Sequence, residues 1–97
     1  MEEQDYIIIL YDYYSELFND KQKKYFEEYY FDNLSLSEIS ENEGISRNAV
    51  HKCIKSVVSK LYEYEDKLKI YDKDNKIRDI IKDIDDDKIR RELEGLL

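Results

Sequence analysis

Proline is absent from this 97-residue chain and glycine occurs only twice. That scarcity, beside abundant Leu, Ile, Tyr, Glu and Lys, argues against a sheet and for an all-α chain. The single cysteine, Cys53, cannot form an internal disulfide, which agrees with a reducing compartment. Long hydrophobic runs are missing too. The longest, Tyr6 to Tyr11, falls far short of the roughly 20 residues a bilayer span requires, so no membrane insertion is expected. The first residues are acidic where a signal peptide would be basic, and a cytoplasmic protein is the expectation. Ninety-seven residues suit one small core, stable only if several elements pack their apolar stripes together.

What is present begins with periodicity. Ile7, Leu10, Tyr11, Tyr14, Leu17 and Phe18 recur at helical spacing and predict a first helix over about residues 4 to 18. Ile8, Ile9 and Tyr13 lie off that stripe as a second oily face. With Tyr6 they are the candidate dimer or partner surface, unless the C-terminal segment folds back to cover them.

Asn19 with Gln22 reads as a capping pair opening a second helix to about Phe31, with Tyr25, Phe26, Tyr29 and Tyr30 as its core stripe. Ser35 with Glu38 repeats the capping logic for a short third helix anchored by Leu36 and Ile39. Gly44 stands where a left-handed residue commonly ends a helix, Ile45 can plug the corner, and Ser46 can cap the next helix. Val50, Ile54, Val57, Leu61, Tyr64 and Leu68 then mark a long fourth helix to about Lys69. The polar "YDKDN" reads as a link to a C-terminal hairpin, with Ile77, Ile80, Ile81 and Ile84 on one helix and Ile89, Leu93 and Leu96 on the other, capped at Asp85. The expected division is a helical domain over 1–69, containing a helix-turn-helix at 35–61, and a C-terminal helical extension over 70–97.

Charge supplies the functional clue. The chain carries a formal net charge of -8, yet Ser46 to Lys60 holds four cations (Arg47, Lys52, Lys55, Lys60) and no acid. A short helix, a glycine-containing turn and a second helix with a polar, cationic first turn form a helix-turn-helix arrangement. With Val50 and Ile54 facing inward, about 100° per residue places Arg47, Asn48, His51, Lys52 and Lys55 outward. Arginine and asparagine can pair with base edges, and lysines attract phosphates. Against this, the strip leaves -12 on the rest of the chain, a field that repels phosphates beyond about one Debye length of roughly 8 to 10 Å.

Other constellations read blandly. His51 and Cys53, two apart on one helix, do not converge as metal ligands. Cys53 is a small apolar residue beside the core, with no oriented base to activate it. Tyr11, Tyr14, Tyr25 and Tyr29 suit core packing with their hydroxyls at the water boundary, and stacking of an exposed tyrosine on an unpaired RNA base is the lesser reading. Asp85, Asp86 and Asp87 suit a helix start better than a cation site. No catalytic residue, cofactor or small-molecule substrate is expected.

"LYDYYSELFNDKQKKYFEEYYFDNLSLSEISENEGISRNAVHKCIK" resembles the start of the YlxM-like proteins, a bacterial family linked to the signal recognition particle (SRP) operon. The resemblance runs from Leu10 through Glu65, and its markers are the tyrosine-rich first helix, "DNLSLSEIS" and "GISRNAVH". The same core is similar to the helix-turn-helix of sigma-factor region four, so the expected core is winged-helix-like or sigma region four-like. The resemblance implies a dimeric, DNA-binding-like helical protein that takes part in or regulates the SRP pathway. By position, the family's reading helix corresponds to Ser46 through Lys60, which gives Ser46, Arg47, Asn48, His51, Lys52 and Lys55 as candidate nucleic-acid contacts. Two functions from different classes are implied. One is a DNA-binding regulator working as a homodimer; the other is a module that docks on the SRP GTPase or SRP RNA without binding DNA, its acidic surface matching a basic ribonucleoprotein.

Overall fold

The computed structural model describes all 97 residues. Six α-helices succeed one another with no strand: α1 (Glu3–Tyr14), α2 (Asp20–Tyr30), α3 (Leu36–Glu43), α4 (Arg47–Leu68), α5 (Ile70–Lys82) and α6 (Asp87–Glu94). A 3₁₀ turn over Ser15–Leu17 tightens the end of α1, turning Leu17 out to solvent while Phe18 stays in the core. No strand follows α4, so the all-α helix-turn-helix core carries no wing.

Two apolar clusters hold the molecule, and α4 belongs to both. The larger joins Ile7, Leu10, Tyr11, Tyr14 and Phe18 to Phe26 of α2 and to Val57 and Leu61 of α4. The smaller joins Tyr25, Ile39, Val50 and Ile54, with Leu34, Leu36, Ile45 and Cys53 packed against it. Each fully buried aliphatic side chain contributes about 1.5 to 3 kcal/mol, so the second cluster suffices to fix α3 and the first half of α4 on α2. The two clusters occupy successive turns of a 22-residue helix. A rigid rod thus connects the helix-turn-helix to the tyrosine-rich core.

Local chemistry sets the boundaries. Asn19 and Gln22 form a reciprocal capping box at α2, as do Ser35 and Glu38 at α3. Gly44 adopts the left-handed conformation (φ +68°) that a Cβ would strain, and its amide closes α3 on the Ser40 carbonyl at 3.0 Å.

The C-terminal third departs from expectation. "YDKDN" is not a link: α5 runs through it, starting one residue after α4 ends. Lys69, at φ +54°, makes the corner, and its side chain caps nothing. The cap comes from Glu65, whose carboxylate accepts from the Tyr71 amide at 3.1 Å, the Asp72 amide at 3.0 Å and the Tyr14 hydroxyl at 2.6 Å. Tyr14 in turn accepts from the Ile70 amide at 3.2 Å. Glu65 is therefore the buried residue in the last turns of α4, while Leu68 lies exposed. Asp86, not Asp85, caps α6, accepting from the amides of Lys88 and Ile89. α5 and α6 pack on one another, and the molecule measures 56 × 25 × 24 Å.

Candidate nucleic-acid interface

The candidate strip lies on the outer face of α4's first half. Ser46 caps the helix, its Oγ accepting from the Ala49 amide at 3.1 Å, so its hydroxyl is committed to the fold. The chain enters α4 at a fixed angle because the Ser40 hydroxyl donates to the Ile45 carbonyl across the turn. Val50 and Ile54 are buried. Arg47, Asn48, His51, Lys52 and Lys55 are all exposed on the opposite side.

The electrostatics reflect sequence spacing. Six other cations sit within 4.0 Å of a carboxylate (Lys23, Lys24, Lys67, Lys76, Lys82 and Arg90). Lys52 and Lys55 have no acid three or four residues away. Arg47 has only Glu43, which lies across the turn at the end of α3 and pairs with Lys24 instead. Lys60 comes nearest to a partner, since its field helps to hold the Glu63 carboxyl below the usual range, but Lys67 takes that carboxylate at 2.8 Å. No acid occupies the first turn of α4, so the partial positive charge of the helix start reinforces Arg47 instead of being neutralised. The result is a cationic, hydrogen-bond-donating ridge about two turns long on an acidic protein.

Cys53 is half-buried beside this ridge, against the smaller cluster. Burial pushes its thiol up, partly offset by Lys21, and this keeps it protonated at neutral pH.

A groove opens next to the ridge, and reading the sequence missed it. Two adjoining hollows of about 560 and 300 Å3 share Glu3, Ile7, Tyr29 and Tyr30 as lining; the smaller reaches His51 and Lys55. Tyr29, expected in the core, is 38% exposed. Its ring meets Tyr30 edge-on at 5.0 Å, and Tyr30 leans on the fully buried Phe26 at 4.5 Å. The signal for this was weak: in "EEYYF" the stripe rule assigns adjacent aromatics alike, although they lie about 100° apart on the helix.

The proposed partner face is divided. Tyr13 donates to Asp74 of α5 at 2.7 Å and its ring packs on Tyr71, while Tyr6 lies between Tyr62 and Tyr71. For these two the cover is α4 and α5 of the same chain. Ile8 and Ile9 are half-buried on α1.

Comparison with known proteins agrees with this architecture. Residues 1–95 match the model of the UPF0122 family, described as "Putative helix-turn-helix protein, YlxM / p13 like". A UPF0122 protein of Fusobacterium nucleatum is 43% identical over 84 residues, 87% of this chain and 82% of that protein. One from Ureaplasma parvum is 40% identical over 91 residues, covering 94% and 92% of the two chains. A third, from Clostridium acetobutylicum, is 41% identical over 86 residues, 89% and 74%. With the family model spanning nearly every residue and these relatives aligned across most of their own length, the chain belongs to the UPF0122 family of YlxM/p13-like helix-turn-helix proteins.

Proposed function

We propose that this protein is a DNA-binding regulator that lays the first half of α4 in the major groove of duplex DNA, acting in the cytoplasm. One observation carries the reading: the exposed cations of that face stand unpaired in a chain of net charge -8 where acids are plentiful enough to neutralise them. Arg47 and Asn48 at the helix start suit base edges, and Lys52 and Lys55 suit the flanking phosphates. The half-buried Ile8 and Ile9 and the exposed apolar residues of the C-terminal arm are the surface on which two copies could pair and present two ridges. The molecule is read as a binding protein without catalysis of its own.

The test is a triple substitution, Arg47→Ala/Lys52→Ala/Lys55→Ala. All three side chains are exposed, so far-UV circular dichroism should be unchanged while duplex affinity drops at least tenfold; a folded variant that binds duplex like the wild type would overturn the reading.

A second reading is favoured by a different region. Ile80 (59% exposed), Ile89 and Leu96 are unburied on an arm whose turn carries Asp83, Asp85 and Asp86, with Asp87 opening the next helix, a combination suited to a basic protein partner. The resemblance to YlxM-like proteins suggests the SRP GTPase as that partner, or SRP RNA held instead through the cationic face of α4. Co-purification with the particle, with and without its RNA, decides between protein and RNA docking, and no enrichment in either case removes both.

A further inference from the structure

The groove beside α4 has an order of chemistry along its length. At one end stand His51 and Lys55, exposed and paired with no carboxylate, with Glu3 lining this hollow as it does the other. In the middle lies the ring of Tyr29, 38% exposed and braced through Tyr30 on the buried Phe26. At the far end the lining turns to amides and oxygens, chiefly Gln4, Asn33 and Glu38. One Glu38 oxygen is committed to the α3 cap by its bond from the Ser35 amide at 3.0 Å, which holds the carboxylate in place.

Cation, aromatic face, then amide and carboxylate is the complement of a single nucleotide read from its phosphate through its base to the base edge. Phosphate is drawn to lysine and histidine, a base stacks on a rooted tyrosine, and side-chain amides and carboxylates pair with exocyclic amino groups and ring nitrogens. Glu38 makes the far end the more acidic of the two, while His51 and Lys55 offset Glu3 at the other, so a phosphate is favoured at the His51 and Lys55 end. A base held in a duplex cannot enter, because its edge is paired and its faces are stacked. An unpaired base can.

We propose that this groove is a binding site for one unpaired nucleotide, adjoining the duplex-binding ridge and sharing His51 and Lys55 with it. The proposal rests on the ridge reading, because the strand that supplies the base is the one whose phosphates lie along α4. The protein would thus prefer a duplex interrupted by an unpaired base over a continuous one. Tyr29 acts as the stacking platform, and its neighbour Tyr30 positions it.

The test uses fluorescence anisotropy with a 20-base-pair duplex and the same duplex carrying one extra unpaired adenosine, each made as DNA and as RNA. The wild type should bind the interrupted probe on the order of tenfold more tightly than the continuous one, the range expected from one base on an aromatic ring. The backbone that shows the larger gap identifies the natural strand. Tyr29→Ala should abolish the gap with affinity for continuous duplex unchanged, and Tyr29→Phe, which keeps the ring, should retain it. Equal affinity of the wild type for both probes in both backbones, or a gap that survives Tyr29→Ala, overturns the proposal. An Arg47→Ala/Lys52→Ala variant separates the two readings. If it weakens every probe, the ridge reading holds whatever the fate of the groove; if it leaves all probes unaffected, the ridge reading falls and takes with it the placement of the strand along α4, even where a Tyr29-dependent gap persists. Failure of the wild type to bind any probe overturns both.

Discussion

Glu28 shows how one side chain can tie stability to pH. Its Oε2 is buried without a hydrogen-bond partner, and Glu43, at the end of α3, lies beside it with Lys24 at 3.1 Å from its Oε1. Burial, then the adjoining Glu43 carboxyl, push the Glu28 carboxyl above its ordinary value of 4.5; Asp32 adds to the rise and Lys24 opposes it. A carboxyl buried beside another carboxyl is favoured in its neutral form. Because the folded pKa is raised, the stabilisation is full below pH 4.5 and fades as pH rises through the folded value. Glu28→Gln keeps a hydrogen-bond donor without the charge. It should therefore melt at a higher temperature than the wild type at pH 7 to 8 and show little difference near pH 4; melting curves that run parallel across that range would contradict the raised Glu28 carboxyl. The tyrosines form a separate set. The Tyr14 hydroxyl, pushed up to about 12 by burial and by its bond to Glu65, stays a donor at any physiological pH, as does that of Tyr11, raised by burial and by Glu27 at 2.6 Å.

Among the elements, the corner between α4 and α5 depends most on a single residue. Three donors converge on the buried Glu65 carboxylate, two of them first-turn amides of α5. Glu65→Ala would leave these without an acceptor and free the start of α5, at a cost of roughly 2 to 4 kcal/mol. The matching observation is amide hydrogen exchange that accelerates across residues 70–82 while α3 and the first half of α4 stay protected. Uniform loss of protection would mean that α5 is integral to the whole core. This corner also explains where the sequence was legible and where it was not. Asn19 with Gln22, Ser35 with Glu38, Gly44 and Ser46 act within four residues of themselves, so spacing alone locates them. Glu65 acts on Tyr14, 51 residues away, and periodicity assigns an acid to solvent by default. "YDKDN" looked like a turn because its residues are polar. It is helical because the cap comes from outside it and because Asp72 with Lys76 and Asp74 with Tyr13 give the polar side chains partners. The ridge was legible for the opposite reason: Val50 and Ile54 fix its phase, and the missing acids are counted directly. Tyr29 was not, because which of two adjacent tyrosines is exposed depends on the path of α1 above them.

At the scale of the whole molecule, the protein sets the cationic strip from Ser46 to Lys60 against a body carrying -12. Attraction to phosphate therefore holds only where α4 itself makes contact, since at physiological salt the Debye length is about 8 Å. Binding should be short-ranged and steeply dependent on salt near the ridge, with little long-range steering. The acidic remainder disfavours a second phosphate backbone elsewhere on the surface, so the number of contacts stays small. The most direct measurement is the salt dependence of affinity for continuous duplex DNA, compared between the wild type and Lys52→Ala. Three phosphate contacts per subunit predict a log–log slope of about -2.7, made shallower by about 0.9 when Lys52 is removed. A wild-type slope near zero, or one identical in the variant, would contradict the assignment of the outer face of α4 as a phosphate-binding surface.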